Sequence, residues 1–316
     1  EGNLANLHGW ANDLRFVTVS ILSPCYDYIK ETIIDLVRDN GIRYLKIDLS
    51  MVRSAYIMEI ARSGSYETND QHKGREEFLY LAYKRLTELF DELKKEIPEC
   101  IIDCTFELWG DWHGVDYALL QHADVDYLAN LEATPPQGAR NVRQLVRHRS
   151  HVIPPGTILI GNQRIEAENH QFSYLSNLAA LPLMHGDPRK LTAKDRQWYK
   201  LHSAWFERMQ KRYNILPYYQ TAGVFDQPTH SNWDGFARIN TEKDGGILCV
   251  FRNGSPDARR NIRIPWVKGS HQYEIVEAVT QKSLGKFNKD QLIDKGIEIT
   301  INKPNQARIF EVKPIE

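Results

Sequence analysis

The sequence predicts an α/β region built on a parallel sheet, followed by an all-β domain. Two observations carry the first part. Short strands alternate with amphipathic helical stretches through the first two thirds of the chain, and the strands are consecutive apolar runs, as expected where both faces of a sheet are covered. A third observation carries the second part: from about Ala222 the texture becomes period-two alternation broken by turn residues. About six strand–helix units can be counted, a number that fits a doubly wound sheet and an eight-stranded barrel alike. No G-x-G-x-x-G follows any strand, so a dinucleotide-binding fold has no support.

The elements follow in order. Arg15 to Leu22 is apolar and β-branched and predicts a strand. Tyr26 to Asn40 predicts a helix, with Ile29, Ile33, Ile34, Leu36 and Val37 near one face and Gly41 placed to cap its end. Tyr44 to Asp48 is the next strand. Arg75 to Glu96 is a long helix stopped near Pro98, and Cys100 to Phe106 a strand. A short helix is expected across Val115 to His122, a strand at Val125 to Asn130, and a helix from Gln137 to Ser150. Thr157 to Gly161 is a strand and Phe172 to Ala180 a helix. Leu181 to Gly186 reads as a last short strand, and Thr192 to Tyr213 as a final long helix. The domain boundary is expected near residue 220, giving 1–220 and 221–316. The second segment alternates around an Asp-Gly-Gly turn as an antiparallel hairpin does.

Composition narrows the function. At about 150 residues per domain, 316 residues suggest about two domains. Forty basic against forty-one acidic residues leave a net charge of -1, which argues against nucleic acid or an anionic membrane as the main partner. No apolar run approaches the roughly 18 residues of a membrane helix. The start EGNLANLHGW has neither a basic nor an apolar stretch, and the four cysteines form no metal-ligand spacing and no disulfide scaffold. These features favour reduced, mostly buried cysteines and a cytoplasmic place, and call for no metal or cofactor; an oligomeric assembly is compatible with them. One Asn-Gly-Ser sequon stands at Asn253, a pattern that also arises by chance.

Three stretches could carry chemistry. Asp48 ends a strand with Lys46 two residues earlier, hence on the same face. A cation beside it would keep the carboxylate ionised, and an ionised, oriented carboxylate can act as a nucleophile. An ordinary strand-end Asp capping a loop fits the same spacing. Glu132 stands just past the Val125 strand and could supply a second carboxylate, the pair that glycoside hydrolysis uses; a solvated loop Glu fits as well. Asp103, Glu107 and Trp109 cluster at another strand end, where an indole can stack on a pyranose while carboxylates take its hydroxyls. Packing alone explains such clusters equally often. Asp124 and Asp126 read as structural rather than metal-binding. Arg140, Arg143, Arg147 and Arg149 read as a solvated helix face or as internal salt bridges, since aromatics do not interleave them. His148 and His151 lack a third ligand nearby.

Taken in order, these segments resemble the melibiase group of α-galactosidases, chiefly glycoside hydrolase family 36 and its clan relatives. ETIIDLVRDNGIRYLKIDLS is similar to the family stretch that ends in a gxdYxKxD strand. The resemblance implies a (β/α)8 TIM barrel followed by a C-terminal antiparallel β-sandwich domain. It also implies a retaining double displacement on terminal α-galactosyl or α-N-acetylgalactosaminyl groups of an oligosaccharide or glycoconjugate. Asp48 would be the nucleophile and Lys46 a ligand for sugar hydroxyls, with a second acid about 5–5.5 Å from the first. CIIDCTFELWG stands where the family has a pocket loop but lacks its glycine-rich, cysteine-serine form, so Glu107 and Trp109 are pocket residues by position only.

Two departures stand out. Relatives carry an Asp after the strand corresponding to VDYLANL, and laying them over this chain puts that Asp at Ala133, which cannot transfer a proton. Either the acid/base has been replaced, or Glu132 serves with the loop shifted by one, or the protein binds sugar without cleaving it. By the same resemblance the chain would begin just before the third barrel strand, so either a fragment of a longer product is expected or Glu1 to Asp13 holds an irregular start.

Overall fold

A computed structural model describes residues 21–47, 73–104, 117–130, 134–161 and 164–315. The chain divides into two compact units, 1–128 and 129–316. The strand expected from Arg15 lies outside the described residues as far as residue 20; Ile21 and Leu22 form a turn whose side chains pack against Phe78, Leu79 and Ala82.

In the first unit, helix α1 spans Tyr26–Asp39 and buries Tyr26, Ile34 and Val37. Gly41 ends it at φ 61°, a conformation that costs glycine little. The Gly41 amide donates to the Arg38 carbonyl and the Ile42 amide to that of Val37, while the Ile42 side chain packs beside Val37. This double bond plus apolar contact is the Schellman stop that the sequence signals. Strand β1 is Tyr44–Ile47, α2 is Arg75–Glu96, β2 is Ile101–Cys104, and β3 begins at Val125 and runs to Asn130. β1 pairs parallel with β2, and β2 parallel with β3. One face of this sheet carries Leu45, Ile47 and Ile102, packed with Tyr26, Ile34, Leu86, Leu89, Phe90 and Leu93 from α1 and α2. Those apolar positions recur every three or four residues on α2, which is why its 22 residues form one amphipathic helix. Of the helix expected over Val115 to His122, residues 117–122 are described, and they hold a 3-10 turn at Leu119–Gln121.

Asp124 is structural. Its carboxylate accepts from the Ile102 amide at 2.8 Å and from Lys94 Nζ at 2.9 Å, so it ties the end of α2 to the entry of β3.

In the second unit, α3 spans Gln137–Arg149, β4 Ile158–Gly161, α4 His170–Asn177 and α5 Ala193–Tyr213. Thr192 caps α5 by accepting the Asp195 amide. Leu181 to Gly186 is not a strand; only His185 pairs, as a single bridge to Arg164. Pro182 lacks a ladder donor, and Asn177 Nδ2 at 2.5 Å occupies the Leu183 carbonyl, so the apolar run cannot pair along its length.

The rest is antiparallel. β5 (Trp233–Asn240), β6 (Gly245–Arg252), β11 (Gln306–Ile315), β8 (Gln272–Glu277) and β9 (Ser283–Asn288) form a sheet in that order. β7 (Arg259–Ile262) and β10 (Ile297–Thr300) form a second. Ile239, Leu248, Val250, Ile275 and Phe310 of the first sheet share one core with Ile262, Ile297 and Ile299 of the second. β5 and β6 are buried on both faces. Their other face carries Phe236 and Phe251, and Phe172 of α4 meets Phe251 edge-on at 5.7 Å.

Two arginines fasten the sheet to the helices. Arg143, from the arginine-rich helix α3, is fully buried and grips Asp234 of β5 through both ends of its guanidinium, at 2.7 and 2.9 Å. It also reaches the Ser176 hydroxyl and the side-chain carbonyl of Asn253. Of the two readings of this helix, internal salt bridges hold for Arg143. Arg147 donates to the carbonyl of Phe225. Arg238 of β5, also fully buried, has no carboxylate partner among the described residues. It donates to five backbone carbonyls: those of Leu178 and Ala180 after α4, and of Ile215, Leu216 and Tyr218 after α5. Burial pushes its guanidinium down, yet every acceptor requires an N–H, so the charged form is the one that fits.

The sequon is closed by the same network. Asn253 has no exposed surface, and its Nδ2 donates to Asp234 at 2.7 Å, so glycosylation there would require the pair to open.

Asp244, at φ 52° in the β5–β6 turn, holds another turn in place. Burial raises its carboxyl, but bonds from the Tyr273 hydroxyl and the amides of Gly269, Lys268 and Ser270 outweigh this and hold it at about 2. Its folded value lies below the unfolded one, so its stabilisation is present above about pH 4 and is lost as pH falls through about 2. Asp244→Asn is expected to cost about 1–2 kcal/mol at pH 7. Urea unfolding at pH 7 and near pH 2 checks this: the gap between variant and parent should shrink in acid, and a gap independent of pH would refute it.

Candidate active site

The face of the β1–β3 sheet opposite the helices is polar. Alternation places Tyr44 and Lys46 of β1 on it, and pairing adds Asp103 of β2, the register partner of Lys46. Val125 of β3 is the partner of Asp103, so Tyr127, two residues on, shares that face. Asp103 is completely buried, and Tyr127 is 2% exposed.

Contacts bind the four together. The Tyr44 hydroxyl donates to Asp103 Oδ2 at 2.5 Å. Burial and then the Asp103 carboxylate push that hydroxyl well above the usual tyrosine range, so it stays a donor at any physiological pH. Lys46 Nζ lies over the Tyr127 ring, 3.7 Å from its centroid, where the ring quadrupole favours a cation. Of the four, Tyr44 and Lys46 are exposed and can meet the hydroxyls of a polyol, while the buried Asp103 and Tyr127 hold them in place.

The structure thus brings together Lys46 and Asp103 among the residues singled out in the sequence. Asp48, Glu107, Trp109, Glu132 and Ala133 lie outside the described residues. Tyr44 and Tyr127 were not singled out. The signal that finds them is the same period-two count that pairs Lys46 with Asp48, extended one step back on β1 and applied to β3.

No protein-family model matches the chain, and no curated protein matches it. Solved structures do. An α-galactosidase from Lactobacillus brevis superposes over 95% of this chain with a TM-score of 0.71 at 14% identity. A variant of the family 36 α-galactosidase AgaA from Geobacillus stearothermophilus, in complex with stachyose, does so over 95% with a TM-score of 0.70 at 15% identity. The chain has the fold of the glycoside hydrolase family 36 α-galactosidases. The family resemblance read from the sequence is met in that fold. A family 27 β-L-arabinopyranosidase from Geobacillus stearothermophilus shares it less closely, with a TM-score of 0.54 at 10% identity over 95% of the chain. This chain spans 39% of the length of the two α-galactosidases and 64% of the arabinopyranosidase.

Proposed function

We propose that the chain is the greater part of a (β/α)8 barrel, residues 1–220, followed by a β-sandwich domain, residues 221–316. In this reading it is a retaining glycoside hydrolase acting on terminal α-galactosidic or α-N-acetylgalactosaminidic linkages. One observation carries the reading: Lys46 and Asp103 stand side by side on the sheet face turned away from the helices, in a chain with the family 36 fold. In a barrel that face is the interior, and its strand ends line the substrate mouth. Asp48, two residues past Lys46, is the nucleophile that attacks the anomeric carbon and displaces the leaving sugar. Glu132 protonates the leaving oxygen and then takes a proton from the water that releases the glycosyl group. Lys46, Asp103, Glu107 and Trp109 hold the sugar, and no cofactor takes part. Fold neighbours bound to raffinose and stachyose support an oligosaccharide as the substrate class.

Ala133 favours a second reading, a barrel that binds sugar but lacks efficient proton transfer. A panel of nitrophenyl α-glycosides separates the two. Turnover of the α-galactoside is expected, and no turnover of any activated α-glycoside by the full-length protein would overturn the hydrolase reading. Ala133→Asp should raise turnover at least about tenfold if that position is the vacant acid/base. It should leave turnover flat if Glu132 already serves. Rescue by azide on a substrate with a good leaving group would mark a surviving nucleophile and count against a pure binding protein.

A further inference from the structure

We propose that the second unit carries a separate binding site for a neutral pyranose sugar, in the cavity bounded by α4, α5 and the turns at Ala278–Gln281 and Asn305. The cavity has a volume of about 460 Å³, within the size range of small-ligand sites. Its lining has the chemistry of hydroxyl recognition. Trp198 of α5 is half-buried, and its indole is backed by the His202 ring at a centroid distance of 3.8 Å, which holds it in one orientation. The amides of Asn169, Asn305 and Gln306 each offer both a donor and an acceptor. Glu277 and Arg308 also line the cavity and pair at 2.7 Å. The Thr280 hydroxyl donates to the same carboxylate at 2.9 Å.

Charge selects the ligand class. One carboxylate and one guanidinium cancel, and burial pushes the His202 imidazole down, so it adds no charge near neutral pH. Its Nδ1 pairs with the Trp198 carbonyl at 2.8 Å, which leaves Nε2 as an acceptor. A cavity without net charge, with paired ionic groups, amides and an indole, suits a polyhydroxylated neutral ring better than a phosphate or a nucleotide.

The backbone adds a second observation. Of the six non-glycine residues with positive φ among the described residues, three line this cavity: Asn169, Val279 and Asn305. Val279, at φ 64°, is β-branched and therefore costly in that region, while asparagine tolerates it. Asn169 Nδ2 donates to the Asn305 carbonyl at 3.2 Å and so ties α4 to the β10–β11 turn. Strain of this kind concentrates where a ligand is gripped.

The site needs no turnover and does not rest on the hydrolase reading. The test uses the whole chain with its seven tryptophans ¹⁵N-labelled at the indole, the Trp198 signal being assigned with Trp198→Phe. Raffinose and the methyl α-glycosides of galactose, glucose and mannose are titrated, with sodium sulfate as a control. At least one sugar should move the Trp198 signal with a millimolar dissociation constant, and Gln306→Ala should weaken it about tenfold. Gln306 is exposed, so this variant tests the site without disturbing the fold. A Trp198 signal that stays still in about 100 mM of every sugar would overturn the proposal. So would a sulfate shift as large as the sugar shift, or a sugar shift that Gln306→Ala leaves unchanged.

Discussion

Arg238→Met is expected to cost more than about 4 kcal/mol and to unfold the second unit under mild conditions. Methionine fills much of the same space but supplies no donor. Five backbone carbonyls would lose the guanidinium; that of Ile215 keeps the Tyr218 amide, which leaves the other four to find new donors. Each unsatisfied buried acceptor costs about 1–3 kcal/mol, reduced where water can enter. The charge matters too. The carbonyls of Leu178 and Ile215 lie just beyond the C-terminal ends of α4 and α5, where both helix dipoles are negative. Arg238 thus neutralises two helix ends at once without a counter-ion. Arg238→Lys keeps the charge but has three donors for five acceptors, and an intermediate loss is expected. Thermal and urea unfolding would check the series. A cost below about 1 kcal/mol for the methionine variant would show that the carbonyls find other partners.

Arg143→Met is expected to cost about 3–5 kcal/mol by stranding the Asp234 carboxylate in the interior with Asn253 as its remaining side-chain donor. The double variant R143M/D234L removes both charges and should lie well above the single variant in stability. The difference between the sum of the single effects and the double effect measures the pair. Phe251 contributes beside them, since the guanidinium carbon of Arg143 sits 4.0 Å from its ring centroid. If R143M and R143M/D234L melt together, Asp234 is not destabilised by losing its partner, and the buried pair is not what joins α3 to β5.

Local signals were the legible ones. The periodicity of α2 sets its ends at Arg75 and Glu96, and Gly41 marks the stop of α1, because both depend on residues within a turn or two. The β5–β6 hairpin is equally local. Leu181 to Gly186 misleads because apolar content alone does not reveal that Pro182 and the Asn177 amide remove its pairing groups. The roles of Arg143 and Arg238 were beyond reach for a different reason. Asp234 stands 91 residues from Arg143, and the Arg238 acceptors are main-chain groups that no side-chain pattern reports. In the candidate site, strand alternation puts Lys46 on the face turned away from the helices, and the pairing of β1 with β2, which a single sequence does not specify, brings Asp103 beside it.

The burial of β5 and β6 on both faces bears on how the protein can be cut. A piece starting near residue 221 would keep every strand of the antiparallel sheets but lose α3, α4 and α5. Asp234 would keep Asn253 but lose Arg143, Arg238 would lose its carbonyl acceptors, and Phe236 and Phe251 would form an uncovered apolar surface. The composition break near residue 220 is therefore a poor place for an expression boundary. A recombinant fragment of the β region would stay soluble only if it also carried the helices from Gln137 onward.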